Sequence, residues 1–203
     1  AGFKIGPAPS TKPHAAVVIG GDGTLRTVVE RLGQLLGYEN VPPVLFIGLG
    51  TANLMQRHLR LTYQRQPDAL ATQVADLVER CNHLDIDVGE ANGKLFLLMA
   101  SCGFDAAVVH ALADVRTGPI TKLSYVAPAL GVLREANFAP VSVRVDDKTI
   151  SEGEPALVFV GNVAEYGTGF PVLKLADSRD GLLDVCVIPC GSRSWVALTA
   201  ALT

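Results

Sequence analysis

No apolar run in these 203 residues approaches the ~18 that a helix needs to cross a bilayer. The longest, Leu95 to Phe104 and Leu123 to Leu133, fall well short, and no signal-peptide pattern is visible. Any membrane contact is therefore expected from outside the bilayer. Cysteine is scarce. Cys81, Cys102, Cys186 and Cys190 show no CxxC spacing, which argues against a zinc site or a disulfide frame. Three of them sit in apolar segments, where reduced core thiols of a cytosolic protein are expected. His14, His58, His83 and His110 are dispersed without metal spacing. Net charge is −3 with Lys and Arg scattered, so the electrostatic footprint of a nucleic-acid binder is missing. Neither a GxxxxGK[ST] phosphate loop nor a dinucleotide GxGxxG occurs; Gly48-Leu49-Gly50 starts the latter, but Asn53 stands where its third glycine belongs.

What is present begins at Ala15. Residues 15–24 read AAVVIGGDGT, a short buried strand entering a glycine-rich turn with an amphipathic helix behind it. Glycine opens backbone angles closed to other residues and leaves no Cβ between a ligand and the main chain. The helix adds unpaired N–H groups and the positive end of its dipole, which suits a phosphate. A second strand, Val44 to Leu49, ends in Gly-Thr-Ala-Asn at 50–53. Two such turns point to one phosphorylated ligand held between them. The plain alternative is that the glycines serve helix–strand packing only. Asp22 and Thr24 favour a ligand, since a carboxylate and a hydroxyl at a turn suit a phosphate and its magnesium.

Apolar residues make up 49% of the chain, enough for one large domain or two small ones with a sizeable core. The first fourteen residues read as an arm. A helix over 25–36 would place Leu25, Val28, Val29, Leu32, Leu35 and Leu36 on one face, stopped by Gly37. Strand, helix and strand form a βαβ unit, whose two glycine turns leave one edge of a parallel sheet. A further helix over 68–81 would turn Leu70, Val74, Leu77, Val78 and Cys81 inward. At His83 the pattern changes. Leu84, Ile86 and Val88 alternate as in a strand, and Asn92-Gly93 predicts a type I′ hairpin into a strand over 94–102. Helices are expected over 105–114 and 120–136. Strands follow at Val141, Val143 and Val145, at 156–161 and at 182–188. The expected division is an α/β domain over 1–82 and a mainly antiparallel domain over 83–203.

Two further constellations have ordinary readings. Alternation alone makes Asp87 a solvent-facing strand residue. Asp177, Asp180 and Asp184 surround the Asp180-Gly181 turn, and D-x-x-D-G-x-x-D without EF-hand spacing is commonly a solvated hairpin loop.

GGDGT after a strand, then a strand ending in GTAN with Arg57 beyond, resembles the diacylglycerol kinase catalytic-domain family. That family includes bacterial lipid kinases, sphingosine kinases and ceramide kinases, and is distantly related to NAD kinases. HLDIDVGEANG (83–93), SCGFDA (101–106) and DGLLDVCVI (180–188) resemble its later strands. The resemblance implies an N-terminal α/β domain with a parallel sheet and an antiparallel β-sandwich-type second domain. It implies ATP and Mg2+ as cofactors and a lipid hydroxyl, taken from the membrane surface, as acceptor. Gly20, Gly21, Asp22, Gly23 and Thr24 would bind the ATP phosphates, Thr51 would contact the nucleotide, and Asp22 would orient the magnesium. Asp87 would serve the metal network or the substrate head group in the cleft between domains. A structural magnesium would take the Asp180 side chain and main-chain oxygens of Asp177 and Leu182. The protein would be cytoplasmic and peripheral at the membrane. Apolar surface in 95–104 and 120–136 could meet acyl chains, although core packing explains most of those residues equally well.

The chain departs from the family in three places. Arg26 and Thr27 replace an Asn-Glu pair, and Leu54 stands where the second motif carries an aspartate. The family's opening strand and its closing Asp-Gly-Glu segment, which supplies the general-base glutamate, do not occur in these residues. An internal piece of a longer protein, or a shortened homologue, is expected. Such a piece would bind nucleotide yet transfer phosphate poorly, and its exposed sheet edges would invite a homodimer. Two other readings stay open: an NAD kinase-like phosphotransferase, and a catalytically inactive nucleotide-binding module.

Overall fold

The computed structural model describes residues 14–103, 140–166 and 170–189. The arm up to residue 13, the helices expected over 105–114 and 120–136, the end of SCGFDA, His110 and Cys190 lie outside them. The chain divides into two compact units, Ala1–Ile86 and Asp87–Thr203.

In the first unit, β1 (Ala16–Gly20) pairs in parallel with β2 (Val44–Gly48), Gly20 opposite Gly48. The crossover is α1 (Asp22–Leu36), followed by a short 3-10 turn over Tyr38–Asn40. Gly37, at φ 84°, ends α1 as expected. Equal register sends the chain out of both strands at the same end, which brings the two glycine turns together. The burial is thinner than the apolar pattern suggests. Only Val18 of β1 is buried, and Ile19 is 59% exposed, because β1 pairs with β2 alone among the described residues. On α1, Leu25 and Gly33 are buried, but Leu35 is exposed. No residue of α3 (Pro67–Arg80) is buried, and Leu77 is exposed rather than inward. Leu49 lies beyond β2 and is 73% exposed, although its N–H still bonds the Gly20 carbonyl at 2.7 Å.

The strand expected at 84–88, where the first unit ends and the second begins, is not formed. Residues 81–88 join no ladder, and Leu84 and Val88 are exposed. The first strand of the second unit is β3 (Gly89–Ala91), joined to β4 (Lys94–Phe96) by the two-residue Asn92-Gly93 turn, with φ 53° and 73°. Two positive φ values in succession define the type I′ turn, which asparagine and glycine adopt most readily. The single strand expected over 94–102 is two: β4 pairs with β3, whereas β5 (Met99–Cys102) pairs with β7 (Lys148–Gly161). The reason is Asn162. Its main-chain N–H takes the Leu98 carbonyl at 2.8 Å and its amide takes the Leu97 carbonyl at 3.3 Å, so the ladder breaks there.

β7 organises this unit. β6 (Pro140–Val145) pairs with its first half through two register shifts, while β5 and β10 (Asp184–Pro189) flank its second half. Val143, Ala156 and Val158 form the centre of the core, with Val141, Val145, Val160, Val185 and Val187 packed on it. The valine alternation of β6 thus faces inward. Leu182 and Leu183, expected at the start of β10, precede it and are exposed. The short β8 (Glu165–Tyr166) and β9 (Phe170–Pro171) pair antiparallel, and Tyr166 meets Phe159 edge to face at 5.3 Å. Among the described residues no cysteine is in the core: Cys102 is exposed, and Cys81 and Cys186 are half-buried free thiols.

Candidate functional site

The first cluster joins the two glycine turns. Gly20, Gly21 and Gly23 do not occupy positive φ; Gly21 is extended at φ −94° and caps α1, so Asp22, Gly23 and Thr24 form the helix's first turn. Their use is therefore close approach rather than unusual backbone angles. A Cβ on Gly50 would lie 2.8 Å from the Gly21 Cα, so the second turn rests on the first, main chain against main chain. A Cβ on Gly20 would strike the Thr24 side chain, whereas Gly23 faces open space.

Asp22 locks the arrangement. Its Oδ2 accepts the Leu54 N–H and its Oδ1 the Met55 N–H, each at 3.0 Å. These are the first two N–H groups of α2 (Leu54–His58), whose own N-cap, Asn53, gives no side-chain cap. A carboxylate at a helix N-terminus satisfies orphan donors and complements the dipole. Asn53 sits instead in the left-handed region at φ 47° and exchanges two hydrogen bonds with Gly50, at 2.7 and 2.9 Å. Gln56 accepts the Gly48 N–H at 2.7 Å and donates to the Leu61 carbonyl. Asn53 and Gln56 shape the second turn, and neither is singled out by a sequence reading; the asparagine ending GTAN was the available signal. Tyr63 supports β2 by donating to the Phe46 carbonyl at 2.7 Å, and burial pushes its phenol above the ordinary value. Thr51 is exposed at the tip of the turn.

The second cluster lies within the second unit. The Asp87 N–H donates to the Ser178 carbonyl at 2.7 Å, and Asp87 Oδ2 accepts the Gly181 N–H at 2.8 Å. Asp87 and the Asp177–Leu182 turn, read separately in the sequence, are thus one constellation. Asp177 turns its carboxylate to Arg179, at 3.0 and 3.2 Å, and this pairing raises the guanidinium pKa. Asp180 Oδ1 closes the turn on the Leu182 N–H at 2.9 Å. Ser178 and Asn162, both buried, complete the surroundings.

Neither cluster gathers three metal-ligating His, Cys, Asp or Glu side chains among the described residues. The donors still fit magnesium, which commonly uses one or two carboxylates and completes its shell with water and substrate phosphates. Each Asp22 oxygen uses one acceptor position on α2 and keeps another, since a carboxylate offers about four. At the 177–182 turn Asp177 is occupied by Arg179, leaving Asp180 as the carboxylate and carbonyls for the rest.

The described residues thus comprise a parallel βαβ unit with paired glycine turns and, later in the chain, an antiparallel β domain, and the comparisons lead to a family with the same two parts. Residues 7–91 match the diacylglycerol kinase catalytic domain, and residues 99–200 match the YegS C-terminal NAD kinase beta sandwich-like domain. The chain belongs to this diacylglycerol kinase-like, YegS-type lipid kinase family. It is 33% identical to the "Probable lipid kinase YegS-like" of Pseudomonas aeruginosa over 84% of its own length and 53% of the relative's. It is 29% identical to the protein of the same name in Pseudomonas savastanoi pv. phaseolicola, over 91% and 57%. A crystal structure of a diacylglycerol kinase from Bacillus anthracis str. Sterne superimposes with a TM-score of 0.61 at 25% identity, covering 94% of this chain and 59% of that one. The chain spans about half the length of the relatives it matches.

Proposed function

We propose that this chain carries the nucleotide-binding and part of the acceptor-binding machinery of an ATP- and magnesium-dependent kinase. Its acceptor would be a hydroxyl of diacylglycerol or a related lipid, reached at the membrane surface. The observation that carries this reading is the pairing of two glycine turns at one end of a parallel strand pair, bridged by Asp22. In it, Gly20, Gly21, Gly23 and Thr24 line the phosphate side and Thr51 meets the nucleotide. A bound magnesium would supply charge neutralisation of the phosphates, and Asp22 is the side chain placed to hold it. Asp87 would serve the metal network or the substrate head group, and the Asp180 side chain with the main-chain oxygens of Asp177 and Leu182 would hold a structural magnesium. Residues 1–82 take the nucleotide role and 83–203 the lipid role. No helix among the described residues is long and apolar enough to cross a membrane, so the lipid would be met from the surface.

A second reading rests on Leu54. Its N–H is held by Asp22, but its side chain adds no carboxylate beside the metal, as a nucleotide-binding module without turnover would tolerate. The two readings separate when the full-length gene product is given radiolabelled ATP, Mg2+ and a panel of lipids. The kinase reading expects label on a diacylglycerol-type hydroxyl, lost on chelation. A nucleotide-dependent thermal shift without transfer supports the module, and transfer to NAD alone overturns the lipid assignment.

A further inference from the structure

We infer that Asn162 is a positioning residue for Asp87, resting on the proposal that Asp87 works in phosphoryl transfer. Residues 81–88 have no ladder to define them, so the orientation of Asp87 must come from individual bonds. Three are present, one on each of its polar groups. Its N–H donates to the Ser178 carbonyl at 2.7 Å, its carboxylate accepts the Gly181 N–H at 2.8 Å, and its carbonyl accepts the Asn162 amide at 2.6 Å. Asn162 alone contributes a side chain, and the same amide reaches the Leu97 carbonyl at 3.3 Å. Asn162 follows the last residue of β7, and Gly161 pairs with Asp184, the first residue of β10. The turn that holds the Asp87 carboxylate leads into that same β10. Asp87 is therefore indexed to two neighbouring strand ends.

Packing alone does not account for an asparagine here. The side chain is 1% exposed, and its Oδ1 has no hydrogen-bond partner. A buried acceptor left unpaired is unfavourable, and an apolar residue of similar size would avoid it. What the asparagine provides is its pair of N–H donors. Removing them frees the Asp87 carbonyl, lets residue 87 turn, and loosens the carboxylate from Gly181.

Asn162→Leu and Asn162→Asp in the full-length protein test this through site-resolved amide exchange at Gly181. Exchange should accelerate about tenfold or more in both, in the absence of any substrate. Lowering the pH should restore protection in Asn162→Asp, because the protonated acid donates to the Asp87 carbonyl, but not in Asn162→Leu. In lipid phosphorylation, kcat should fall about tenfold or more with KM for ATP little changed, since misplacement near reacting groups acts on turnover. On an Asp87→Ala background the Asn162 substitutions should cost nothing further in kcat. Gly181 protection equal to wild type in both variants overturns the inference. So does an undiminished loss of kcat on the Asp87→Ala background. If Asn162→Leu fails to fold, the pH response of Asn162→Asp decides. If the wild type transfers no phosphate, the kinase reading fails while Gly181 exchange still decides the role of Asn162.

Discussion

The carboxylate of Asp22 accepts the main-chain N–H of Met55 at 3.0 Å across 33 residues of sequence. With the matching bond to Leu54, it makes the first turn of α1 the cap of α2. The two glycine turns consequently hold their spacing without a ligand. Preorganisation of this kind lowers the ordering that a bound triphosphate would otherwise require.

Asp22→Ala should remove both caps at once. Two hydrogen bonds to a charged group make the expected loss about 1–3 kcal/mol, visible as a lower melting temperature of the full-length protein. Asp22→Asn should fall between the two, because its amide keeps one acceptor oxygen and turns a donor toward the other N–H. Radiolabel transfer should disappear in the alanine variant.

Gly50→Ala should separate the turns. The added methyl would stand 2.8 Å from the Gly21 Cα, and neither atom can move without its backbone. Overpacking of this sort costs about 1–3 kcal/mol. Calorimetric titration with ATP and Mg2+ should show affinity reduced about tenfold or more, the equivalent of some 1.4 kcal/mol. Unchanged affinity would place the nucleotide elsewhere.

Tyr63 predicts an alkaline limb. Burial raises its folded-state pKa above the unfolded value of about 10. The associated stability is fully present below that unfolded value and is lost as pH rises through the folded one. Tyr63→Phe should flatten this limb in thermal melts between pH 9 and 11, roughly, and remove about 1 kcal/mol at neutral pH through the lost bond to Phe46.

Cys186 and Cys102 should label at different rates. Burial pushes the Cys186 thiol up, so little thiolate exists near neutrality, while Cys102 is exposed. Iodoacetamide at neutral pH, followed by peptide mass spectrometry, should modify Cys102 first. Cys186 should catch up only above the ordinary thiol pKa of about 8.5. Equal rates would contradict the partly buried setting of β10.

Local patterns were read well from sequence. The strand into GGDGT, the Gly37 stop, the Asn92-Gly93 hairpin and the valine alternation of β6 each depend on residues within a few positions. Two of the failures share a cause, which is a partner far along the chain. Residues 84–88 alternate like a strand, but Asp87 finds Ser178 and Gly181 instead of a ladder. Residues 94–102 read as one continuous apolar strand, yet Asn162, 65 residues from Leu97, divides them between two sheets. At the site, the glycine turns were legible, whereas the Asp22 cap on α2 was not, because periodicity is blind to a bond spanning 32 residues.

The contact between Gly50 and Gly21 also bears on heredity. Every base change in a glycine codon that alters the encoded amino acid adds at least one carbon, and at residue 50 that carbon has nowhere to go. Missense variation at this codon offers no gentle intermediate, so natural variants of this protein should carry drift almost anywhere on the surface of α3 before they carry any at residue 50.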